Sequence, residues 1–449
     1  MSLIMSVSGI RGVVGETMTP QVAADVGFAF ADYLTGGRVV VGRDSRESGE
    51  TLQAALVAGL VAGGCEVIDL GVVSTPGVGI MVGQRRAAGG VVITASHNPG
   101  EWNGIKFITG DGRAPGRDDV EAIFEIYRRR TSQPVPTTSR GADRAIEQST
   151  HECHVAKVLA VVDRNSIAAG RFKVVLDSNH GAGGPGGRQL LDALGCEVVH
   201  LHAEATGRFA HPPEPLGEHL TELCVQTREC SACVGFAQDP DADRLAIADE
   251  TGAYIGEEYT LALVARAVFA RRPGPAATNL STSRMIDDAA ARAGGLCVVH
   301  RTPTGEANVV EAMKAHECVI GGEGNGGVID PRVVYIRDSL VAMAWTLQLL
   351  ADEGRPLSQI VADMPAYAMV KTKFPCASDR AAIILVAVRH EFSDERINDT
   401  DGLRIDWPEG WVQIRRSNTE PIIRIIAEAQ TEAAAIELVA RIRNVVDRA

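Results

Sequence analysis

One arrangement of helix, glycine and strand occurs three times in this chain, and it restricts the fold more than any other feature. Residues 64–67 (GCEV), 195–198 (GCEV) and 295–298 (GLCV) each follow an Ala/Leu-rich helical stretch and open a short apolar strand. Glycine is favoured at a helix end because it adopts positive φ freely. Each unit also has a strand before it, and a second helix and a third strand after it. Alternating strands and helices indicate βαβ units, so we predict three similar α/β domains with mixed, mostly parallel sheets.

The third strand of every unit is followed by a polar loop of unusual composition. The loops begin near Ser96, Asp239 and Glu323. Ligands of open α/β sheets bind beyond the carboxyl ends of the strands. We therefore expect the three loops to converge on one central cleft. The third strands are predicted at residues 91–93, 234–237 and 319–320.

The last part of the chain departs from the repeat. Four strand-like runs precede a helix capped by Thr431, which indicates a smaller C-terminal α+β domain. Residues 131–147 are rich in Pro, Ser and Thr and predict an exposed linker between the first two domains. The strand-like runs lie at 367–372, 402–406, 411–414 and 422–427. The predicted domains are residues 1–148, 149–252, 253–364 and 365–449.

Charge and composition restrict the partners. The net charge of −13 leaves no basic excess to neutralise phosphates, so a nucleic-acid binder is disfavoured. No apolar run reaches membrane-spanning length, and the first residues show no signal-peptide pattern. Nine scattered cysteines, an odd number, favour a reducing cytoplasm over a disulfide framework. The C-x-x-C from Cys230 to Cys233 is interpreted as two buried thiols at a helix-to-strand junction, with a redox or zinc role as the alternative.

Three carboxylates at alternate positions form the strongest metal-binding pattern. Asp239, Asp241 and Asp243 lie in what we call the carboxylate loop, residues 239–244. In a straight strand they would span roughly 13 Å, at about 3.3 Å per residue, so the loop must curl if all three are to bind one ion. A solvated acidic turn is the alternative. An EF-hand is rejected because Arg244 occupies the position that requires glycine.

The serine loop, residues 94–99, places Ser96 on a tight and exposed connection after an apolar strand. A phosphorylated Ser96 would carry nearly two negative charges and would offer an oxygen to the cation that the carboxylates bind. His97 and Asn98 either orient that phosphate or cap the loop, and Lys106 is suited to stabilise charge or to move a proton nearby. A serine that only caps a turn is the alternative.

Two further loops contain groups suited to a phosphate and to a polyol. The C-terminal loop, residues 415–421, begins with Arg415 and continues through Ser, Asn and Thr, and Arg424 follows on the next strand. Arginine forks bind phosphate bidentately, so an anion site is favoured over an Arg–Glu surface network. The glycine-rich loop, residues 321–327, offers Glu323 and Asn325, and a carboxylate beside an amide can bind two vicinal hydroxyls.

These residues together resemble the α-D-phosphohexomutase superfamily, which includes phosphoglucosamine mutases, phosphomannomutases and phosphoglucomutases. The serine loop with Asn103-Gly104-Ile105-Lys106, and the C-terminal loop, carry the resemblance most specifically. It implies three similar domains and one divergent domain around a cleft. It also implies an intramolecular phosphotransferase in which phosphorylated Ser96 donates its phosphoryl group to a hexose phosphate. The resulting bisphosphosugar turns over in the cleft and returns its other phosphate to Ser96.

The resemblance implies a role for each candidate residue. One Mg²⁺ per chain would be held by phosphorylated Ser96 with Asp239, Asp241 and Asp243, and a bisphosphosugar would act as activator. The groups implied around the reacting phosphate are Arg11, His97, Lys106 and Arg244. Those implied to bind the sugar hydroxyls are Glu323 and Asn325. Those implied to bind the distal phosphate are Arg415, Ser417, Asn418, Thr419 and Arg424.

Two positions depart from the family pattern. Gly327 and Glu306 stand where several members carry histidine, so no acid–base role can be transferred from those histidines. The glycine-rich loop, residues 281–284 and the pair Arg337-Asp338 are similar to the group called archaeal-type phosphoglucosamine mutases. Glucosamine phosphate is therefore the first substrate, interconverted between its 6- and 1-phosphates, and mannose or glucose phosphate is the alternative.

Two rival functions belong to other classes of protein. One is a metal-dependent sugar phosphatase whose phosphoserine is simply hydrolysed, and the other is a sugar-phosphate sensor without catalysis. A serine donor site together with a remote phosphate clamp favours the mutase, because exchange between two sugar positions requires that both ends are held. An intact serine and three intact Asp residues disfavour the sensor. A monomer and a homodimer are both compatible with the sequence.

Overall fold

The computed structural model describes residues 3–130, 135, 137, 144–416 and 422–448. Within these ranges the helices and strands follow the predicted repeat, with four separate sheets. None of the described helices combines the length and the apolar character needed to cross a membrane.

The first α/β unit is built on a sheet with seven described strands. Its elements are β1 (Ile4–Ser6), β2 (Gly9–Val13), α1 (Pro20–Leu34), β3 (Gly37–Arg43), α2 (Gly49–Ala62), β4 (Cys65–Val72), α3 (Thr75–Arg85), β5 (Gly89–Ile93), β6 (Trp102–Thr109), α4 (Arg117–Arg130) and β7 (Arg144–Ile146). The sheet order is β1-β2-β6-β5-β3-β4-β7, with β5, β3, β4 and β7 parallel. Thr19 and Ser74 accept backbone N–H groups as the N-caps of α1 and α3, and each is followed by a proline in the first turn.

The second unit repeats the strand arrangement with fewer strands. Its elements are α5 (Thr150–Leu159), α6 (Arg164–Ala169), β8 (Lys173–Asp177), α7 (Gly184–Ala193), β9 (Glu197–Leu201), a 3₁₀ turn (Gly217–His219), α8 (Thr221–Glu229), β10 (Val234–Gln238) and β11 (Leu245–Asp249). The sheet order is β11-β10-β8-β9, and only the β10–β11 pair is antiparallel. The strand that carries the carboxylate loop, β10, therefore corresponds to β5 in the first unit.

The third unit has the same order again. Its elements are α9 (Glu257–Arg271), β12 (Ala276–Asn279), α10 (Met285–Ala293), β13 (Val299–Thr302), α11 (Glu306–Ala315), β14 (Ile320–Glu323), β15 (Gly327–Ile329), α12 (Ser339–Glu353) and α13 (Leu357–Ala362). The sheet order is β13-β12-β14-β15, with the last pair antiparallel. In all three units the functional loop thus joins the third parallel strand to an antiparallel neighbour.

The C-terminal domain differs, as expected, because its described strands are all antiparallel. Its elements are β16 (Ala368–Pro375), α14 (Ser378–Glu391), β17 (Arg396–Asn398), β18 (Leu403–Asp406), β19 (Gly410–Arg416), β20 (Ile422–Ala429) and α15 (Glu432–Val446). The sheet order is β16-β20-β19-β18-β17. Thr431 caps α15 by accepting the N–H of Ala434, as its position before the apolar spacing predicts.

A continuous apolar core joins the three α/β units and fixes their relative positions. It extends from β3 and α3 through β8 and β10 to α9 and α12, with Val40, Leu176, Phe236 and Trp345 among its members. Helix α12 is buried from Ser339 to Leu350. The C-terminal domain has a core of its own. The three functional loops are thereby held on one rigid assembly.

Three local expectations need correction. Helix α10, the helix of the third repeat, ends at Gly294, with φ 106°, rather than at Gly295. The strand that follows it, β13, begins only at Val299. Leu296 is accordingly 73% exposed because it precedes the strand. Part of the predicted linker forms β7, which pairs with β4 in parallel. The thiols of Cys230 and Cys233 are free but only half-buried. The domain boundaries stay a prediction.

Candidate active site

The serine loop is more enclosed than the sequence predicts. Ser96 is only 1% exposed, where an exposed loop was expected, because the carboxylate loop covers it. Its backbone has φ 50°, a left-handed conformation that is uncommon for residues other than glycine. The N–H of Ser96 donates to Thr94 Oγ1 at 2.8 Å. Its hydroxyl donates to Asp239 Oδ2 at 3.0 Å, which links the first and second units directly.

A buried arginine beneath the serine loop fixes its shape. Arg46 is 1% exposed and pairs with Asp44, whose carboxylate also accepts the hydroxyl of Thr94. Such a buried cation is stable only if it is fully paired and hydrogen-bonded. This guanidinium satisfies the condition, so it acts as a rigid support for the loop. It donates at 2.6–3.1 Å to the backbone carbonyls of Ser96, Asn98, Pro99 and Trp102.

The carboxylate loop curls as a single-ion site requires. Ala242 has φ 56° and its N–H donates to the carbonyl of Asp239, which folds the loop back on itself. One oxygen from each of Asp239, Asp241 and Asp243 lies within 4.8 Å of the others. All three side chains are buried, and within the described part of the chain Oδ1 of both Asp241 and Asp243 has no hydrogen-bond partner. Buried carboxylate oxygens without donors fit a hard divalent cation, for which Mg²⁺ is the expected type.

Electrostatics in the loop support the same conclusion. Burial raises the pKa of Asp239 well above its ordinary value, and the charges of Asp243 and Asp241 raise it further. Burial also opposes ionisation of Asp243, but Arg337, Lys106 and Arg244 outweigh it and lower the pKa of that carboxyl. A bound cation would stabilise the ionised form of Asp239 and remove this repulsion.

One cation and one hydroxyl contact the Oδ2 atoms of the carboxylate loop. Lys106 Nζ donates to Asp241 Oδ2 at 2.6 Å and to Asp243 Oδ2 at 3.3 Å. Thr75 Oγ1 donates to the same Asp241 oxygen at 2.5 Å. Burial alone would lower the pKa of Lys106, but the two carboxylates raise it, so its ammonium stays charged. Lys106 is therefore a charge-stabilising group in this state rather than a free base.

Arg337 connects the carboxylate loop to the glycine-rich loop. Its guanidinium donates to Asp243 at 2.7 Å, to Glu306 at 2.9 Å and to Glu323 at 2.8 Å. Burial would lower the pKa of Arg337, but these three carboxylates raise it well above its ordinary value. Arg337 thus sets the spacing between the three-carboxylate site and Glu323, the predicted ligand of the sugar hydroxyls.

His97 lies beside the serine hydroxyl but cannot serve as an imidazolium. Its Nδ1 is 3.4 Å from Ser96 Oγ. Burial, together with Arg244 and Arg11, lowers the pKa of His97 to about 2. The ring is therefore neutral at physiological pH. Arg11 donates to Asn98 Oδ1 at 3.0 Å, which brings a second guanidinium to the serine loop.

The glycine-rich loop places its carboxylate at the cleft. Glu323 accepts from Asn279 Nδ2 at 2.8 Å and from the N–H of Gly305 at 3.2 Å, in addition to Arg337. Asn325 Oδ1 is buried without a hydrogen-bond partner. A ligand hydroxyl would satisfy that oxygen.

A buried carboxyl below this loop gives a pH-dependent prediction. Glu258 accepts the N–H of Ser283 at 2.9 Å and leaves no space for a Cβ at Gly324. Burial raises the pKa of Glu258 from 4.5 to about 8, because Lys371, 3.9 Å away, offsets only part of the lost hydration. The folded state then holds a proton that the unfolded chain releases between these values, so stability falls as pH rises through this window.

We expect Glu258→Gln to stabilise the protein at pH 8, by on the order of 3 kcal/mol, because the neutral amide has no charge to bury. The gain should disappear at pH 4.5, the ordinary pKa of the carboxyl. Urea unfolding of both proteins at the two pH values measures this difference. An equal difference at both values would contradict the assigned burial effect.

Part of the predicted phosphate clamp lies at the edge of the described chain. Arg415 and Arg424 face each other across β19 and β20. Like charges directly opposite are destabilising unless an anion lies between them. The Nε of Arg415 is buried and has no hydrogen-bond partner among the described residues, and burial lowers the pKa of this guanidinium. Ser417, Asn418 and Thr419 lie outside the described residues.

A cavity of 280 Å³ between the first three units adjoins the site at Lys106, Asp243 and Arg337. The C-terminal domain approaches it through Asp401, which accepts the N–H of Thr304 at 3.0 Å, and through Gln413, which accepts the hydroxyl of Ser281 at 2.6 Å. All four domains therefore contribute to one region, as expected from the converging loops. Polar residues lining the cavity include Ser8, Arg11, Lys106, Asp243, Glu306 and Arg337.

Family comparisons cover nearly the whole chain. The models of the phosphoglucomutase/phosphomannomutase family match alpha/beta/alpha domain I at residues 3–134, domain II at 152–252, domain III at 257–367 and the C-terminal domain at 370–445. The chain belongs to this family. It is a phosphotransferase-type isomerase, a phosphoglucosamine mutase or a related phosphohexomutase.

Individual relatives agree with this phosphohexomutase assignment. A "probable phosphoglucosamine mutase" of Methanopyrus kandleri is 38% identical over 435 residues, 96% of this chain and 95% of the relative. A "phosphoglucomutase/phosphomannomutase" of Thermococcus kodakarensis is 38% identical over 445 residues, 97% of each chain. The crystal structure of a phosphoglucomutase/phosphomannomutase family protein from Burkholderia thailandensis superposes with a TM-score of 0.84 at 28% identity, covering 99% and 98% of the two chains.

Several residues of the phosphohexomutase site were absent from the sequence-based list. Thr75 follows β4 and Asn279 ends β12, so the rule that ligands bind beyond strand ends would have found both. Arg46 lies three residues after β3, so the same rule would have found it, whereas Arg337 lies well beyond the end of β15 and acts through several distant partners.

Proposed function

We propose that this phosphohexomutase interconverts hexose 6-phosphate and hexose 1-phosphate through a phosphoserine at Ser96 and a bisphosphosugar intermediate. The contact between Ser96 Oγ and Asp239 Oδ2, at 3.0 Å, carries the proposal. In this contact the hydroxyl of Ser96 faces a buried three-carboxylate site, and phosphoryl transfer needs such an arrangement.

The transfer follows from the groups around Ser96. A sugar hydroxyl attacks the phosphorus, the bond between phosphorus and Ser96 Oγ breaks, and the proton of the sugar hydroxyl passes to the serine oxygen. Lys106, which contacts Asp241, and Arg11, which contacts Asn98, would stabilise the negative charge that develops on the phosphoryl oxygens. Arg46 holds the serine loop through backbone carbonyls and keeps Oγ in position. Asp239, Asp241 and Asp243 would hold Mg²⁺, whose charge neutralises the phosphoryl oxygens when it is bound.

Return of the second phosphate requires that the sugar is held at both ends. Glu323 and Asn325 would bind its hydroxyls, and Arg244 would contact the phosphate near Ser96. Arg415 and Arg424, together with Ser417, Asn418 and Thr419, would bind the distal phosphate. The buried Nε of Arg415 supports this assignment, since a phosphate oxygen would accept its N–H.

Arg415→Ala distinguishes the mutase from a phosphatase. Charged hydrogen bonds contribute about 1.5–3 kcal/mol, so we expect KM to rise roughly tenfold or more. The bisphosphosugar should also escape before it reorients, and its release should increase relative to finished product in phosphorus NMR. Arg441→Ala, at an exposed arginine of the same domain that pairs with Glu409, is the control and should change neither quantity. If Arg415→Ala behaves like this control, the phosphatase function gains support.

The first substrate proposed is glucosamine phosphate, and mannose or glucose phosphate is the alternative. Relatives named phosphoglucosamine mutase support the first, and a relative named phosphoglucomutase/phosphomannomutase supports the second. A coupled assay of purified protein with glucosamine 6-phosphate, mannose 1-phosphate and glucose 1-phosphate tests this order, with a catalytic amount of the matching bisphosphate as activator. A higher kcat/KM for mannose or glucose phosphate would overturn it.

We also propose that the enzyme works in a reducing cytoplasm as a monomer or homodimer. The nine cysteines, all free, support the compartment.

A further inference from the structure

A second cluster of metal-ligating side chains lies in the second unit, apart from the carboxylate loop. Asp177 ends β8, His202 directly follows the neighbouring strand β9, and His211 lies on the connection that follows. One ligand atom from each of the three lies within 4.8 Å of the others. His202 Nδ1 is 3.0 Å from Asp177 Oδ1, and His211 Nε2 is 3.2 Å from Asp177 Oδ2. Asp177 is buried, and the two rings are 18% and 13% exposed.

The hydrogen bonds around His211 leave one nitrogen for a cation. Its Nδ1 lies 2.9 Å from the carbonyl of Pro212, so Nδ1 carries the proton and donates it. The neutral ring then directs the lone pair of Nε2 at Asp177 Oδ2, and two facing lone pairs repel. Only a second proton or a metal ion between them makes this contact favourable. A backbone carbonyl that orients the far nitrogen is also the usual support of a metal-bound histidine.

The surroundings of His202 and Asp177 are equally polar. His202 Nε2 lies 3.5 Å from Glu222 Oε2, so both nitrogens of this ring face carboxylates. Asp177 Oδ1 already accepts the N–H of Asn179 at 2.9 Å, which orients the carboxylate toward the rings. Tetrahedral coordination at about 2.1 Å places ligand atoms about 3.4 Å apart, close to the observed separations.

We propose that Asp177, His202 and His211 form a second cation site, which binds a borderline divalent metal such as Zn²⁺. Imidazole nitrogens prefer Zn²⁺ and its neighbours, whereas the all-carboxylate triad near Ser96 prefers a hard ion such as Mg²⁺. The two sites therefore select different metals.

The connection between the two histidines also packs against the first unit. Gly207 lies against the backbone of Ser45 with no space for a Cβ, and the ring of Phe209 lies 5.0 Å from the guanidinium of Arg46. One metal ion bound by both His202 and His211 would link the two ends of this segment. It would thereby hold the segment against Arg46, which supports the serine loop. Binding to the folded state alone should raise Tm.

Zn²⁺ binding measured by titration and by metal analysis after dialysis tests the proposal. We expect one tightly held Zn²⁺ per chain, a higher Tm with Zn²⁺, and a Kd raised about tenfold or more in His202→Gln and in His211→Gln. His200→Gln is the matched control, since His200 lies on the same strand but contacts Ser178 instead. Both this control and Asp241→Asn should keep the Zn²⁺.

Two results would overturn the proposal. Equal Zn²⁺ binding by wild type and both histidine variants would assign the metal to cysteines or other surface groups. No Zn²⁺ retained by the wild type would mean that the rings hold protons only. If a histidine variant fails to fold, electron paramagnetic resonance of the wild type with Cu²⁺ is the deciding measurement. Two imidazole ligands give nitrogen hyperfine couplings, and the absence of these couplings would equally contradict the site.

Discussion

Ser96→Ala is expected to abolish mutase turnover, by roughly 10⁴-fold or more, because no other group can accept and return the phosphoryl group. The fold should survive. The change removes one buried hydroxyl and leaves Asp239 Oδ2 without its donor, a cost of about 1–3 kcal/mol at most. Steady-state turnover and thermal unfolding of the same preparation measure the two effects separately.

Ser45→Ala is the matched control for that variant. Ser45 is also buried and lies one residue from Arg46, but its hydroxyl has no hydrogen-bond partner. Its removal should therefore leave turnover close to that of wild type. Turnover of Ser96→Ala comparable to that of Ser45→Ala would refute a covalent phosphoserine.

Asp241→Asn should reduce turnover by about 10²-fold or more, because the site loses a formal charge and an acceptor-only ligand. The affinity for Mg²⁺ should fall in parallel, and excess Mg²⁺ should restore part of the activity. Asp241 also accepts from Thr75 and Lys106, so an amide in its place weakens the hold on Lys106 as well.

Chelation and a second aspartate provide the controls for Asp241→Asn. A chelator should abolish wild-type activity, and Mg²⁺ should restore it. Asp249→Asn, at a buried carboxylate of the same unit that only accepts backbone and Thr251 donors in a turn, should keep normal Mg²⁺ dependence. Full activity of wild type with verified absence of metal would refute the assigned role of the carboxylate loop.

Much of the fold was predictable because it repeats. In all three units the three parallel strands lie in the order third, first, second, and the antiparallel strand lies beside the third. The repeated sequence pattern of helix, glycine and strand predicts this recurrence. The pattern fails where glycines are adjacent. At Gly294 and Gly295 either residue can end the helix, and in the structure it is Gly294, with φ 106°, that does so.

The candidate site was predictable where its groups follow a strand, and not where a side chain acts across domains. Ser96 and Asp239 follow buried strands and were expected to meet. Their enclosure was not, since burial of Ser96 depends on how the second unit packs on the first. Arg337 contacts carboxylates from two different units, and the resemblance carried by the pair Arg337-Asp338 does not by itself reveal those contacts.

The histidine cluster shows the same limit more sharply. His202 and His211 were assigned no role from sequence, because isolated histidines are common and nothing in their spacing marks a site. Only the neighbouring ends of β8 and β9 bring them to Asp177. Chemistry that depends on adjacent strands of a sheet becomes visible once the strand order is known.

The central claim is that Ser96 passes its phosphoryl group directly to a hexose phosphate. A single-turnover experiment tests it most directly: protein labelled on its phosphoryl group by a bisphosphosugar is mixed with unlabelled hexose phosphate, and label is followed in the Ser96 peptide, the sugar and the solvent. We predict that label leaves the Ser96 peptide and appears first in bisphosphosugar. Label on another residue, or label released as inorganic phosphate at the rate of turnover, would contradict the account.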